Sequence, residues 1–285
     1  MILQWKRAIT ILIISFLMLN IVLVVNLWFR GQPNHQFALS ASQKDQIIQS
    51  LRDKGVILEA DIPNEGKSQP ILEIGLPKLN ENKILQNFFG KGNKPSLSQT
   101  PDGRKFTLDE EQLIITDNGF ITYFNNDDRV IWPNLTKEQA EREALSFMKT
   151  HKCMPENAVL NRVTYDDKSK GYLLEYVDYY DGFFIQNSYA TVFVTPAGIK
   201  SYYQCWLEPL GYVGKRQSVI SPLTAIMRVI SEANAEYPIV ITRIEQGYYS
   251  KLYDADRWQL APVWKIQLGN EDTYYVNAYT GEMEQ

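Results

Sequence analysis

The most constraining feature of the chain is a run of 22 residues without a charge, AITILIISFLMLNIVLVVNLWF, from Ala8 to Phe29. At a helical rise of ~1.5 Å per residue, such a run spans the ~30 Å hydrocarbon core of a bilayer. Lys6 and Arg7 precede it, whereas Arg30 is the one Lys or Arg between its end and Lys44. That bias predicts a cytoplasmic segment over 1–7, a transmembrane anchor over 8–29 and an extracytoplasmic remainder, in a single-pass protein of the cell membrane. Trp5 and Trp28 fall where interfacial aromatics belong. A cleaved signal peptide is the competing reading. Its apolar region would span ~7–15 residues, and the small-residue stretch Ala38-Leu39-Ser40 lies well past the end of this run. An uncleaved anchor is therefore expected.

Three polar side chains in the anchor, Ser15, Asn20 and Asn26, are its candidate transmembrane contacts. Asn20 lies near the middle, where an unpaired amide is costly and a neighbouring helix can satisfy it. Asn26 can also sit at the outer interface.

The chain carries 29 Lys and Arg against 33 Asp and Glu, a formal charge of −4. Residues 1–30 hold three of the basic residues and none of the acidic ones, so the remainder has a formal charge of −7. An acidic surplus argues against nucleic acid as a partner and gives no attraction to an anionic membrane surface. Two histidines and two cysteines are too few for multi-cysteine zinc modules, iron–sulfur clusters or disulfide frameworks. His151 and Cys153 would need two further ligands, and His35 and Cys205 are the other nitrogen and sulfur donors of that kind. Whether Cys153 and Cys205 pair stays open. Ser146-Phe147-Met148-Lys149 matches S-x-x-K, but its companions S-D-N and K-T-G are absent, as are G-x-S-x-G, H-E-x-x-H and the phosphate-binding glycine loops. Acidic pairs such as Asp127-Asp128 and Asp166-Asp167 fall in expected turns, where carboxylates are ordinary. No catalytic residue, metal ligand or cofactor is expected, and the chain reads as non-enzymatic.

Beyond the anchor the fold class is α+β, with antiparallel sheets and a few helices. A stalk is expected over 30–41 and a mixed N-terminal ectodomain region over 42–133, with a helix from Ser42, strands near Ile71–Leu76, Lys105–Leu108, Gln112–Thr116 and Phe120–Phe124, and a loop at Gly90–Pro101. From Pro133 the pattern sharpens. Thr136 and Gln139 form a capping box ahead of Ala140, Ala144, Phe147 and Met148 on one helical face. Strands Arg162–Asp166, Tyr172–Tyr180, Phe183–Phe193 and Ile199–Trp206 follow. The order then recurs: Ser221-Pro222 caps a second helix, with strands at Ile239–Tyr249, Pro262–Leu268 and Thr273–Asn277 after it. Thr136 and Ser221 are 85 residues apart, and the turn glycines Gly198 and Gly281 are 83 apart. A tandem of helix–sheet units is therefore expected over 134–206 and 221–285, joined by a linker over 207–220.

Sixteen of the 17 tyrosines lie between Tyr165 and Tyr279. Alternation in Tyr172–Tyr180 puts Tyr172, Tyr176 and Tyr180 on one strand face, and Val177 and Tyr179 on the other. Tyrosine suits half-buried strands and also binding surfaces. Tyr172, Tyr176 and Tyr180 are the candidate ectodomain surface.

The opening Trp5–Phe29, with F-L-x-L-N-I at Phe16–Ile21, and the closing Tyr274-Tyr275-Val276-Asn277-Ala278-Tyr279-Thr280-Gly281-Glu282 resemble the YycI (WalI) family of low-GC Gram-positive bacteria. The closing segment is also similar to the last strand and turn of PepSY-type domains. The resemblance implies two PepSY-like units and an accessory protein of the WalK/WalR (YycG/YycF) two-component system. It further implies association with the sensor kinase WalK and a YycH-type sister protein, partly through transmembrane helices, with an effect on cell-wall metabolism. An envelope ligand-binding module and a PepSY-like protease inhibitor are the alternative readings.

Overall fold

The computed structural model describes residues 16, 19–20, 41–232, 238–251 and 255–284. The expected segment 1–7, the anchor 8–29 apart from Phe16, Leu19 and Asn20, and residues 30–40 of the stalk lie outside them. Ser15 and Asn26 are therefore outside as well. Phe16, Leu19 and Asn20 are helical. Among the described residues, no helix is long and apolar enough to cross a membrane.

Three helices start at a side-chain cap. Helix α1 (Ala41–Asp53) ends ahead of Gly55, whose φ of 79° is the left-handed geometry glycine adopts without a Cβ penalty. Strands β1 (Val56–Leu58) and β2 (Gln69–Gly75) follow. Asn80 Oδ1 accepts the Lys83 N–H at 3.1 Å and opens α2 (Glu81–Phe89). Next come β3 (Ser96–Thr100), β4 (Gly103–Leu108), β5 (Glu111–Thr116) and β6 (Ile121–Asn125). Thr136 Oγ1 accepts the Gln139 N–H at 3.3 Å at the start of α3 (Lys137–Thr150). Each such cap satisfies one of the four amides that a helix start leaves without a partner.

After α3 the chain runs through four consecutive antiparallel strands, β7 (Val159–Asp166), β8 (Gly171–Tyr180), β9 (Phe183–Thr195) and β10 (Gly198–Cys205). Asp181 and Gly182 both have positive φ, 51° and 81°, as a two-residue hairpin between β8 and β9 requires. The expected linker 207–220 is instead largely strand β11 (Glu208–Gln217), an edge strand paired with β2. Its Pro209, Gly211 and Gly214 interrupt the alternation that marks a strand in sequence, and an edge position tolerates them. Ser221 Oγ then accepts the Thr224 N–H at 3.1 Å and opens α4 (Pro222–Glu232). A second set of four consecutive antiparallel strands follows, β12 (Ile239–Tyr249), β13 (Arg257–Leu268), β14 (Thr273–Asn277) and β15 (Met283–Glu284).

The architecture is mixed α+β and mostly sheet. The described strands join in one 15-stranded sheet whose main path is β11-β2-β13-β12-β9-β10-β6-β5-β4-β3. The two strand sets meet where β9 and β12 run parallel, Phe184 against Gly247 and Ile185 against Tyr248. Residues 42–133 form no core of their own. Leu51, Val56 and Ile62 pack into the core under α4, and β1 pairs parallel with β12. β2 inserts between β11 and β13. By contrast, Phe88, Phe106, Leu113 and Tyr123 enter the core under α3, and β6 pairs with β10.

One face of the sheet carries both helices. Ala140, Ala144 and Met148 of α3 are wholly buried against Leu174, Tyr176, Ala190 and Val192. Ala225, Ile226 and Val229 of α4 are wholly buried against Trp264, Ile266 and Val276. Ile185 and Tyr248, neighbours across the junction, share a third apolar cluster on that same face with Leu72, Ile74 and Leu260.

Candidate functional site

The other face of the sheet holds the site. Along β8, strict alternation sends Glu175, Val177 and Tyr179 away from α3. Val177 and Phe184 meet Val263 of β13 in a small buried cluster, ringed by Tyr179, Tyr189, Tyr249 and Tyr275. Tyr249 and Tyr275 are stacked, with ring centroids 4.4 Å apart. The parallel pairing of β9 with β12 covers two positions; further along, that edge of β9 pairs with β10, while β12 pairs with β13 throughout. A cleft lies along this junction as two adjoining cavities of about 520 and 280 Å³, and Glu175, Gln186 and Tyr275 line both.

At the floor of the cleft is Lys265 of β13, 3% exposed. Its Nζ donates to Asn161 Oδ1 at 3.1 Å and Gln186 Oε1 at 3.2 Å, and lies 5.2 Å from the centre of the Phe184 ring. Asn161 is fixed from three sides: Oδ1 also accepts Arg243 Nη1 at 2.7 Å, and Nδ2 donates to Glu175 Oε1 at 2.5 Å. Arg243 Nη2 lies 3.1 Å from Glu245 Oε2, and the Tyr179 hydroxyl donates to Glu245 Oε1 at 2.6 Å. Arg162 sits at the rim, 3.5 Å from Glu175 and 3.8 Å from Glu271. Side chains of β7, β8 and β9 thus meet those of β12 and β13 through one polar network.

Electrostatics follows from burial. Desolvation, with the nearby Arg243 charge adding to it, pushes the Lys265 ammonium down to about 8. Burial raises the Tyr275 hydroxyl well above its ordinary value, and Tyr179 is raised by burial and by its bond to Glu245. Asp178, 6% exposed and on the opposite face of β8, is pushed up to about 6 by burial against the Tyr179 N–H that stabilises its charged form.

The three tyrosines singled out in the sequence lie on the helix-bearing face. Tyr176 is 3% exposed and belongs to the core under α3, so it offers no binding surface. Tyr172 packs against that core and against Tyr165, with centroids 4.9 Å apart, whereas Tyr180 packs on Tyr212 at 5.4 Å. The alternation is as read, but the cleft opens on the opposite side, through Glu175, Val177 and Tyr179. Asn20 is exposed, and its Nδ2 donates to the Phe16 carbonyl of its own helix at 2.9 Å. Cys153 and Cys205 are free thiols. His151 is held by Nδ1 against the Phe147 carbonyl at 2.7 Å, with its ring tilted against that of Phe147 at a centroid distance of 4.1 Å. Among the described residues, no group of three or more His, Cys, Asp or Glu could hold a metal ion. Lys265, Arg243 and Asn161 escaped the sequence reading, although Lys265 left a trace: it is the one charge in Pro262–Leu268.

Among curated proteins no relative matches. Among solved structures, the fold is similar to the crystal structure of an uncharacterized protein from Eubacterium rectale, with a TM-score of 0.54. The two are 12% identical over 81% of this chain and 91% of that one, a likeness of fold. The family model described as YycI protein matches residues 34–279. That match takes in both helices, the strands that follow them as far as β14 and the junction between the two strand sets, and the chain belongs to the YycI family.

Proposed function

We propose that the protein is a non-enzymatic, membrane-anchored regulator of the sensor kinase WalK (YycG), acting with a YycH-type partner and thereby on cell-wall metabolism. The family is a regulatory one tied to this two-component system, which supports the reading at its coarser level. In this reading residues 1–7 are cytoplasmic, 8–29 span the membrane once, and the folded body lies outside as an ectodomain. Its C-terminal part is two PepSY-like units, a reading supported by the repeated order of one helix and four antiparallel strands.

The observation that carries the mechanism is the double role of β12. Its first residues, Ile239–Ile241, pair with β1, the strand directly after the anchor-proximal helix α1. Two and four residues on, Arg243 and Glu245 enter the cleft network. A shift at the cleft is therefore passed along β12 to β1 and the adjoining α1. A regulator moves a two-state kinase by its differential affinity for the two states, and a change in anchor position supplies that difference.

Phe16, Leu19 and Asn20 share one exposed helix face, at i, i+3 and i+4. Asn20 Oδ1 is the acceptor left for a neighbouring helix once Nδ2 has bonded to its own backbone. Co-purification of full-length Asn20→Leu with WalK and the YycH-type protein tests this contact. Weakened recovery with an unchanged melting profile is expected; unchanged recovery together with unchanged target-gene expression removes the anchor from the mechanism.

A further inference from the structure

We infer that the cleft between the two helix–sheet units binds a short peptide with a free carboxylate, received by the Lys265 ammonium and the Arg162 guanidinium, with its body against Tyr249 and Tyr275. The inference goes beyond the kinase reading and stands whether or not WalK is the partner.

Four observations converge on it. First, Lys265 is an ammonium taken out of water without a carboxylate within 4 Å among the described residues; its partners are two neutral amide oxygens. Burying a charge this way costs several kcal/mol unless an opposite charge completes it, and the third N–H of Lys265 has no partner among the described residues. Secondly, Lys265 and Arg162 line the same cavity, and Arg162 makes ion pairs of 3.5 and 3.8 Å, longer than the 2.7–2.9 Å of a close charge-assisted hydrogen bond. Both cations are thus available to an incoming anion.

Thirdly, the adjoining cavity of about 520 Å³ is walled by the stacked Tyr249–Tyr275 pair, and its size falls in the ~300–1,000 Å³ range of small-ligand sites. Fourthly, the lining has the mixed chemistry of a peptide's complement. Among the described residues the side-chain N–H donors of Gln186 and Gln267 have no partner, and Glu175, Glu271 and Asp272 line the same cavity as the two cations, where they can meet an ammonium. A ligand carrying only negative charge would meet three carboxylates against two cations, which is why a peptide bearing an ammonium as well as a carboxylate fits better than a polyanion.

The test uses the full-length chain in nanodiscs and two libraries of random tripeptides, one with free C-terminal carboxylates and one amidated. Peptides retained with the protein are quantified by mass spectrometry. Free-acid peptides should be retained at least about ten-fold over their amides, the size of effect expected when one partner of a buried charge pair is removed. Lys265→Met should abolish that preference. Arg162→Gln, at a half-exposed rim position, should reduce it while the melting temperature stays unchanged, and it decides the matter if Lys265→Met fails to fold. Equal retention of acids and amides, retention of neither, or a preference untouched by the variants would each overturn the assignment.

Discussion

Phe184 of β9 and Gly247 of β12 face each other in parallel register, and the Phe184 ring fills the space that a side chain at residue 247 would occupy. This pair joins the two strand sets into one sheet, so glycine is required by close approach rather than by backbone angle. Gly247→Ala places a methyl group inside the ring volume. Overpacking of this kind costs about 1–3 kcal/mol. A lower urea midpoint is expected by tryptophan fluorescence, partly recovered in the double variant with Phe184→Leu. An unchanged midpoint would show that the junction yields without strain.

Asp178 gives stability a pH dependence of unusual sign for a carboxylate. Its folded value of about 6 lies above the ordinary 3.8, so the folded state keeps the proton longer than the unfolded one. Stability therefore falls as pH rises between these two values, and the penalty is complete above them. Asp178→Asn removes the charge and keeps an acceptor for the Tyr179 N–H. It should flatten the profile in that window and raise stability near neutrality by ~2–3 kcal/mol at most. Identical slopes for variant and parent would contradict the burial argument.

Lys265 acts at the alkaline end. Its folded value of about 8 lies below the ordinary 10.5, so the folded state releases the proton first. Stability should rise with pH between those values, and Lys265→Met should remove the rise. Urea titrations in steps across this window check it. A parent protein with no alkaline gain would mean that the cleft hydrates Lys265 far more than its 3% exposure implies.

Two substitutions, one in α3 and one at its N-cap, separate packing from capping. Met148 is wholly buried, and Met148→Ala should cost ~2–5 kcal/mol through lost burial and the cavity left behind. Thr136→Ala removes the Oγ1 acceptor of the Gln139 N–H and should cost ~1 kcal/mol. Chemical denaturation measures both. A Thr136→Ala loss as large as that of Met148→Ala would mean that the helix depends on its cap more than on its core.

Local signals were legible wherever backbone chemistry is local. The caps at Thr136 and Ser221, the Asp181-Gly182 hairpin and the apolar stripe of Ala140, Ala144 and Met148 read directly from residue type and spacing. Strand β3 did not: Ser96–Thr100 is polar and almost wholly exposed at a sheet edge, so it carries no buried period to read. Nor could spacing show that residues 42–133 divide between the two cores, because that division depends on pairings such as Val56 with Ile239, far apart in the chain. The cleft shows the limit most clearly. Alternation along β8 was right, yet which face meets a helix depends on α3 packing. Tyrosine abundance therefore drew attention to Tyr176 in the core instead of Tyr249 and Tyr275 in the cleft.

The regulatory reading is tested most directly by the autophosphorylation rate of full-length WalK in nanodiscs, measured alone, with this chain, and with this chain plus the YycH-type protein. A several-fold change in rate on adding the chain, in either direction and lost with residues 1–40 removed, is the expected result. The same rate in all three preparations, with no recovery of the chain alongside the kinase, would contradict it.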